Sequence, residues 1–278
     1  MDTPTYDLIV VGAGPAGLSA ATDAARAGLK VLCLDKLAPG GALINLGELE
    51  DFEESFTGPD WASRMTDDAT VAGVEIGFGE VSGLSGNGPW TVETSDGEQH
   101  TARAIVVATG LNKGTLGLDN EGDYEGRGLS HCAHCDGPLY AGLPVVVAGA
   151  QGWARQEAET LKGLAGDVTV IERPSRIVAL EGSQGLQSVT IETSGARKSI
   201  PASAVFVYTD QSPAAEFLPD SLALDGSGHI VVDAEGRTSA STVFAVGDVR
   251  AGTRYHLSDA IADGQRAAKA AIAALKKN

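Results

Sequence analysis

The fold of this chain is decided by residues 6–17, which read YDLIVVGAGPAG. An apolar run with the length of a strand leads into Gly12, Gly14 and Gly17, and an alanine-rich segment with helical periodicity follows. Gly-x-Gly-x-x-Gly between a strand and a helix is the dinucleotide fingerprint, because its glycines allow a tight turn and let a pyrophosphate approach the helix N-terminus. These residues therefore predict a Rossmann-type nucleotide site.

The next residues complete this βαβ unit, and a similar unit occurs later in the chain. Residues 30–34 form a second apolar run that ends in Asp35, where a carboxylate can accept hydrogen bonds from a ribose diol. We predict another strand at residues 144–148, a helix at 154–164 and a strand at 168–171. The chain is therefore expected to contain two dinucleotide-type units rather than a short-period repeat.

Length and charge limit the classes of function. A chain of 278 residues can form two domains with separate cores. The net charge of −17 opposes binding to the phosphates of nucleic acids. No apolar run approaches the ~18 residues of a membrane span, and the N-terminus lacks the features of a signal peptide. We expect a cytoplasmic protein that binds neither nucleic acid nor membrane.

The predicted chemical centre is residues 132–137, which read CAHCDG. Cys132 and Cys135 are spaced to close a small disulfide and reopen it, and such motifs lower the pKa of the nucleophilic thiol. His134 can stabilise a thiolate and so make the pair more oxidising, and Asp136 can act as acid or base for the thiol proton. The alternative is a zinc site, but the sequence offers no distant second pair of ligands, and we assign no metal site.

Two further segments indicate that the dinucleotide is FAD. Ala108, Thr109 and Gly110 follow an apolar strand, as crossover segments of flavoproteins do. Gly247 and Asp248 follow another strand, where the carboxylate can bind a ribityl hydroxyl. Together with the fingerprint, they predict a flavoprotein.

With these motifs the chain resembles the low-molecular-weight thioredoxin reductases over nearly its full length. The segments that match the family are residues 12–17 (GAGPAG), 40–43 (GGAL), 57–59 (TGP), 108–110 (ATG), 126–128 (GRG), 132–137 (CAHCDG) and 247–249 (GDV).

The resemblance implies an α/β fold of two Rossmann-like, three-layer ββα dinucleotide-binding domains, with the second inserted in the first and truncated. Residues 1–112 and 241–278 would form the FAD-binding domain, and residues 113–240 the NAD(P)-type domain with the dithiol. It also implies a homodimer in which Cys135 faces the flavin and Cys132 attacks the disulfide of a partner. The catalytic residues implied are Cys132, Cys135, Asp136 and His134.

The flavin site departs from the family at several positions. Ala42 replaces the usual Gln, Asp51 replaces an Asn, and residues 255–257 (YHL) replace Arg-Gln-Ala. His256 could donate to the isoalloxazine or cap the last helix. The cofactor-binding residues that we expect are Gly12, Gly14, Pro15, Ala16, Gly17, Asp35, Lys36, Gly41, Ala42, Leu43, Asp51, Val81, Ala108, Thr109, Gly110, Gly247, Asp248, His256 and Leu257.

The second nucleotide motif departs further. The family reads Gly-x-Gly-x-x-Ala, whereas residues 149–154 read GAQGWA, so that Gln151 replaces the glycine that admits the pyrophosphate and Trp153 adds bulk. The family's His-Arg-Arg cluster for the 2′-phosphate is replaced by Glu172-Arg173-Pro174. A carboxylate there repels a 2′-phosphate, although it suits the ribose diol of NADH.

Our leading hypothesis is an FAD-dependent thiol-disulfide oxidoreductase that exchanges electrons between FAD and the Cys132/Cys135 dithiol without NADPH. Two routes stay open. Ferredoxin or reduced flavin could supply electrons for a thioredoxin-like protein, or a small dithiol could be oxidised with oxygen as the acceptor. The alternatives are an NAD(P)H-dependent thioredoxin-like reductase, which could use NADH, and a redox sensor that holds FAD and the dithiol without turnover.

Overall fold

The computed structural model describes residues 5–47, 57–149 and 153–276. Its strands are β1 (Tyr6–Val11), β2 (Val31–Asp35), β3 (Glu75–Phe78), β4 (Val81–Gly86), β5 (Trp90–Thr94), β6 (Gln99–Val107), β7 (Leu129–Ser130), β8 (Pro144–Ala148), β9 (Asp167–Ile171), β10 (Arg176–Glu181), β11 (Ser188–Thr193), β12 (Ala196–Pro201), β13 (Ala204–Val207) and β14 (Val243–Ala245). The helices are α1 (Pro15–Arg26), α2 (Gly58–Val71), α3 (Ala133–Asp136), α4 (Trp153–Lys162) and α5 (Leu257–Lys276).

The chain divides into two units. The first comprises Met1–Leu111 and Pro213–Asn278, and the second comprises Asn112–Ser212. The first unit ends at Leu111 and resumes at Pro213, whereas the junctions predicted from the sequence lie after residue 112 and at residue 241.

The sheet of the first unit has the order β3-β2-β1-β6-β5-β4, with β14 beside β6. The strands β1, β2, β6 and β14 run parallel, so their carboxyl ends meet at one edge. Both faces of β1 are buried. Leu8 and Val10 pack in one apolar core with Leu18 of α1, while Ile9 and Val11 pack in another on the opposite face. This burial explains why β1 reads as a continuous apolar run.

Residues 213–240 belong to the first unit because their apolar side chains complete the core beneath its sheet. Ala215, Leu222 and Ile230 are buried there. The Ile230 amide also donates to the carbonyl of Val249 at 3.0 Å. This segment contains isolated bridges and no strand, so the sequence has no periodic signal that assigns it to this unit.

The second unit contains a parallel sheet in the order β7-β13-β8-β9 and an antiparallel sheet in the order β10-β11-β12. Its parallel sheet is the Rossmann-like part, and α4 crosses from β8 to β9. The strand β9 ends at Ile171 and β10 begins at Arg176, so no helix lies between them. The expected truncation corresponds to this direct passage into the antiparallel sheet.

Candidate active site

Gly12 and Gly17, two of the three fingerprint glycines, lie so close to other backbone atoms that no side chain would fit. Gly12 has a φ of +101°, and a Cβ on it would lie 2.4 Å from the carbonyl oxygen of Ala108. A Cβ on Gly17 would lie 1.9 Å from the carbonyl oxygen of Gly12. The fingerprint turn is therefore packed against the Ala108 segment, at the carboxyl ends of β1 and β6.

Gly14 differs because it has open space beside it. The nearest atom to a Cβ on Gly14 is the Cα of Gly41, at 4.0 Å. Gly41, Ala42 and Leu43 lie in a 3₁₀ turn (Gly41–Asn45), which replaces the loop expected from the sequence. Pro15 and Ala16 begin α1, as the fingerprint requires. This space at a helix N-terminus fits a pyrophosphate.

Asp35 lies at the end of β2, where the ribose was expected. Its Oδ2 accepts a hydrogen bond from the amide of Ala13 at 2.8 Å, and its Oδ1 accepts one from the amide of Leu37 at 2.9 Å. The carboxylate thus also holds the fingerprint turn against β2. Lys36 follows it and approaches Glu80 at 3.9 Å on the surface.

The other segments of the predicted flavin site meet this edge of the sheet. The Thr109 hydroxyl donates to the carbonyl of Ala214 at 2.6 Å, and the Ala214 amide donates to the carbonyl of Gly110 at 3.0 Å. Val81 begins β4 and packs against the core. Asp51 lies outside the described residues.

The turn at Gly247 and Asp248 is held by residues that the sequence did not reveal. Asp263 of α5 is 4% exposed and accepts a hydrogen bond from the Gly247 amide at 3.3 Å. It also forms ion pairs with Arg250 and Arg266. A charged residue in an amphipathic helix is normally expected on the solvent side, so the sequence pattern alone could not single out Asp263.

Asp248 itself is half-buried and accepts a hydrogen bond from the Thr253 hydroxyl at 3.1 Å. Burial raises the pKa of the Asp248 carboxyl, and the nearby Asp263 adds to the rise. His256 directly precedes Leu257, the first residue of α5, and its carbonyl accepts a hydrogen bond from the Ala260 amide at 3.0 Å.

These groups fit FAD. The space beside Gly14 can take the pyrophosphate, and the carboxylates of Asp35 and Asp248 stand at the ends of β2 and β14, where ribose and ribityl hydroxyls are usually bound.

The dithiol of the second unit is a disulfide in this structure, with Cα atoms of Cys132 and Cys135 5.3 Å apart. Cys132 caps the short helix α3, and its Sγ accepts a hydrogen bond from the Cys135 amide at 3.0 Å. Cys132 is 8% exposed, whereas Cys135 and His134 are exposed. Cys33, by contrast, is fully buried in β2, and burial raises the pKa of its thiol to about 12. That thiol is therefore inert at neutral pH.

Asp136 lies at the end of α3 and is held by a serine. The Ser130 hydroxyl donates to Asp136 Oδ2 at 2.6 Å, and the same hydroxyl accepts from the Cys132 amide at 3.2 Å. Ser130 therefore links the expected acid/base to the backbone of the nucleophilic cysteine.

A buried carboxylate lies against the start of α3, and no sequence motif indicated it. Glu157 of α4 is 3% exposed, and its Oε2 accepts hydrogen bonds from the Ala133 amide at 3.0 Å and from the Tyr208 hydroxyl at 3.1 Å. Burial raises the pKa of the Glu157 carboxyl against these hydrogen bonds. Burial and the nearby Glu157 carboxylate likewise raise the pKa of the Tyr208 phenol.

The second nucleotide motif follows β8 in the sequence, and its described residues begin with Gly149. Glu172 directly follows β9 and is exposed. Arg173 forms an ion pair with Asp210 at 3.0 Å, and both are exposed. Gln151 lies outside the described residues, and Trp153 is the first residue of α4.

Two features are not found in the part of the chain that the structure describes. No group of three or more His, Cys, Asp or Glu side chains there is arranged to hold a metal ion. No helix there has both the length and the apolar character needed to cross a bilayer.

Known proteins resemble this chain throughout its length. The sequence pattern of the pyridine nucleotide-disulphide oxidoreductase family matches residues 6–185 and 175–274. A thioredoxin reductase of Treponema pallidum is 33% identical over 295 residues, covering 96% of this chain and 96% of that protein.

Solved structures agree with this result. The thioredoxin reductase of Lactococcus lactis is 29% identical and superposes with a TM-score of 0.92, covering 99% of this chain and 100% of the other. A ferredoxin-flavin thioredoxin reductase of Clostridium acetobutylicum is 25% identical with a TM-score of 0.59, covering 100% of this chain and 99% of the other. The chain therefore belongs to the pyridine nucleotide-disulphide oxidoreductase family and is a thioredoxin reductase-like flavoenzyme that depends on FAD.

Proposed function

We propose that this enzyme exchanges electrons between FAD and the Cys132/Cys135 dithiol, and that NADPH is not its electron donor. FAD bound in the first unit would supply the two-electron centre, held by the fingerprint turn, Asp35 and Asp248. Cys132 and Cys135 would exchange disulfide bonds with the partner, and Asp136 would handle the thiol proton.

The observation that supports independence from NADPH is the charge at the end of β9. The basic residue available for a 2′-phosphate is Arg173, and its guanidinium is already paired with Asp210 at 3.0 Å. Glu172, beside it, adds a second carboxylate. A 2′-phosphate would therefore meet two acidic groups where the family offers three basic or protonatable ones.

The partner we propose is a disulfide of a thioredoxin-like protein, because the relatives described above are thioredoxin reductases. Ferredoxin or reduced flavin is the donor that fits a chain resembling a ferredoxin-flavin thioredoxin reductase. The second route that we propose is oxidation of a small dithiol with oxygen as the electron acceptor. We also propose that the protein is a homodimer.

An anaerobic titration of the oxidised flavoprotein tests the choice of donor. We expect reduced ferredoxin or a dithiol to bleach the flavin absorbance, and NADPH at micromolar concentration to leave it unchanged. Bleaching by micromolar NADPH would refute the proposal. Peroxide formed when air is admitted after reduction by a dithiol would identify the oxidase route.

NADH is the second candidate donor, and Glu172 is the observation that favours it. An acid directly after the second strand of a Rossmann unit can bind the ribose diol of NADH. NADH would be established as the donor if it bleaches the flavin absorbance and NADPH is at least tenfold less effective. The response to NADH should also be lost in Glu172→Ala.

A further inference from the structure

Glu157 is a buried carboxyl group in the second unit with no part in the function described so far. Its side chain lies on α4 and contacts the first residue after Cys132, through the Ala133 amide at 3.0 Å. The backbone of His134 also hydrogen-bonds to it. The carboxylate therefore lies against the same short helix that Cys132 caps.

Structural needs do not explain a carboxylate at this position. The Ala133 amide also donates to the Tyr208 hydroxyl at 3.0 Å, so it would keep an acceptor without Glu157. Burying a carboxylate costs free energy, and a glutamine of the same shape could accept the same hydrogen bond. The difference between the two side chains is the negative charge.

The sulfur that this charge could affect is that of Cys132, because Cys132 caps the helix whose Ala133 amide binds Glu157. Reduction of the disulfide leaves a thiol at Cys132, whose Sγ receives the Cys135 amide at 3.0 Å in the oxidised form. A thiolate there and the Glu157 carboxylate would be two negative charges at the start of one helix. Like charges in a buried setting disfavour the second ionisation.

The charged and titratable groups around Glu157 come from two elements besides α4. Tyr208, directly after β13, donates to the carboxylate, and His134 of α3 favours its ionised form when protonated. The Asp136 carboxylate, at the end of α3, raises the pKa of the Tyr208 phenol and so helps to keep its hydroxyl protonated.

We propose that Glu157 is a positioning residue for redox chemistry, whose carboxylate keeps the Cys132 thiol protonated and makes the dithiol a stronger reductant. The inference rests on the proposed redox role of Cys132 and Cys135. When two molecules of a small thiol such as glutathione reduce the protein, the S–S bond breaks, the two donor sulfurs join in a disulfide, and both protein sulfurs take up a proton. Without the carboxylate, Cys132 stays a thiolate and one proton is released to water.

The direct test is the pKa of Cys132 in the reduced holoenzyme. We expect Glu157→Gln to lower it by about one to two units. Alkylation rates would be measured against pH and assigned to Cys132 by peptide mass spectrometry. The matched control is Glu159→Gln, which removes the same charge from the exposed side of the same helix, where Glu159 pairs with Lys162 at 2.6 Å. The control should leave the pKa unchanged.

A second readout is the dithiol–disulfide equilibrium in glutathione buffers. For each unit by which the Cys132 pKa falls, the equilibrium constant should shift up to tenfold toward the dithiol at alkaline pH, which raises the reduction potential by about 30 mV. At acid pH the wild type and the variant should have the same potential. A merely structural role would shift the equilibrium equally at all pH values. Because histidine changes charge near neutral pH, the titrations are repeated in a His134→Gln background.

An unchanged or higher pKa of Cys132 in a folded Glu157→Gln protein would overturn the proposal. If that variant does not fold, Tyr208→Phe takes its place, because loss of the hydroxyl donor disfavours the ionised carboxylate. It should lower the Cys132 pKa by a smaller amount, and no decrease would refute the idea. These readouts concern the dithiol alone, so they stand even if the dithiol does not exchange electrons with the flavin, which flavin absorbance reports separately.

Discussion

The guanidinium of Arg173 lies 3.0 Å from the carboxylate of Asp210, and this ion pair joins the residues after β9 to those after β13. The strand β8, whose glycine turn forms the second nucleotide motif, lies between those two strands in the sheet. Nucleotides in such sheets bind at the carboxyl ends of the strands. The ion pair therefore engages Arg173, a basic group at the edge where our proposal places the 2′-phosphate of NADPH.

Asp210→Asn should release Arg173 without destabilising the protein. Exposed ion pairs contribute roughly 0.2–1 kcal/mol, so we expect a loss of less than about 1 kcal/mol in urea unfolding and a gain in NADPH affinity of no more than about fivefold. Titration of NADPH by fluorescence measures the gain. If Asp210→Asn binds NADPH a hundredfold more tightly than the wild type, the ion pair and not Glu172 is the main barrier to the 2′-phosphate.

Gly14→Ala and Gly17→Ala should separate cofactor binding from folding. A Cβ on Gly14 meets nothing closer than 4.0 Å, so the apoprotein should unfold within about 0.5 kcal/mol of the wild type while its FAD affinity falls at least about tenfold, since the methyl group takes the pyrophosphate space. A Cβ on Gly17 would lie 1.9 Å from a carbonyl oxygen, and this overpacking should cost about 1–3 kcal/mol. Wild-type FAD affinity in Gly14→Ala would contradict the assigned site.

Asp263→Ala should strongly destabilise the first unit. It leaves the half-buried Arg250 and the Gly247 amide without the carboxylate that they share, and breaking such a pair costs about 3–5 kcal/mol. Glu159→Gln, which breaks the exposed pair with Lys162, should cost less than about 1 kcal/mol. Equal urea midpoints for the two variants would show that Asp263 does not hold the Gly247 turn.

The stability of the apoprotein should depend on the ionisation of Asp248. Because burial raises its pKa in the folded state, the group contributes stability below its unfolded pKa, and that contribution is lost as pH rises through the raised value. Asp248→Asn does not ionise there. We therefore expect the variant to be the more stable apoprotein at neutral pH, by about 1.4 kcal/mol for each tenfold change in proton affinity. The measurement is urea unfolding as a function of pH. If the ionised Asp248 carboxylate stabilises the fold, the wild type will be more stable than Asp248→Asn at neutral pH.

The sequence predicted the parts of the fold that have a regular period or a glycine requirement. The strand Tyr6–Val11 and the start of α1 follow from an apolar run and the fingerprint, and their placement at one sheet edge with Asp35 and Asp248 follows from parallel strands. The return of the chain at Pro213 could not be predicted, because Ala215, Leu222 and Ile230 are buried from irregular backbone.

The burial of the charged residues Glu157 and Asp263 could not be predicted from the sequence either. Glu157 and Asp263 lie on helices that also carry exposed charged residues, and only the packing of α3 against α4 and the turn at Gly247 gives these two their partners. Their positions therefore depend on tertiary contacts, which sequence periodicity does not report.

The most direct test of the central claim is anaerobic reduction of the enzyme-bound flavin by dithiothreitol, compared between the wild type and Cys135→Ser. We expect dithiothreitol to bleach the flavin absorbance of the wild type, whereas the variant, with FAD bound to the same extent, should stay oxidised over the same period. If Cys135→Ser is bleached as fast as the wild type, the dithiol is not the route by which electrons reach the flavin, and the proposed relay between them is refuted.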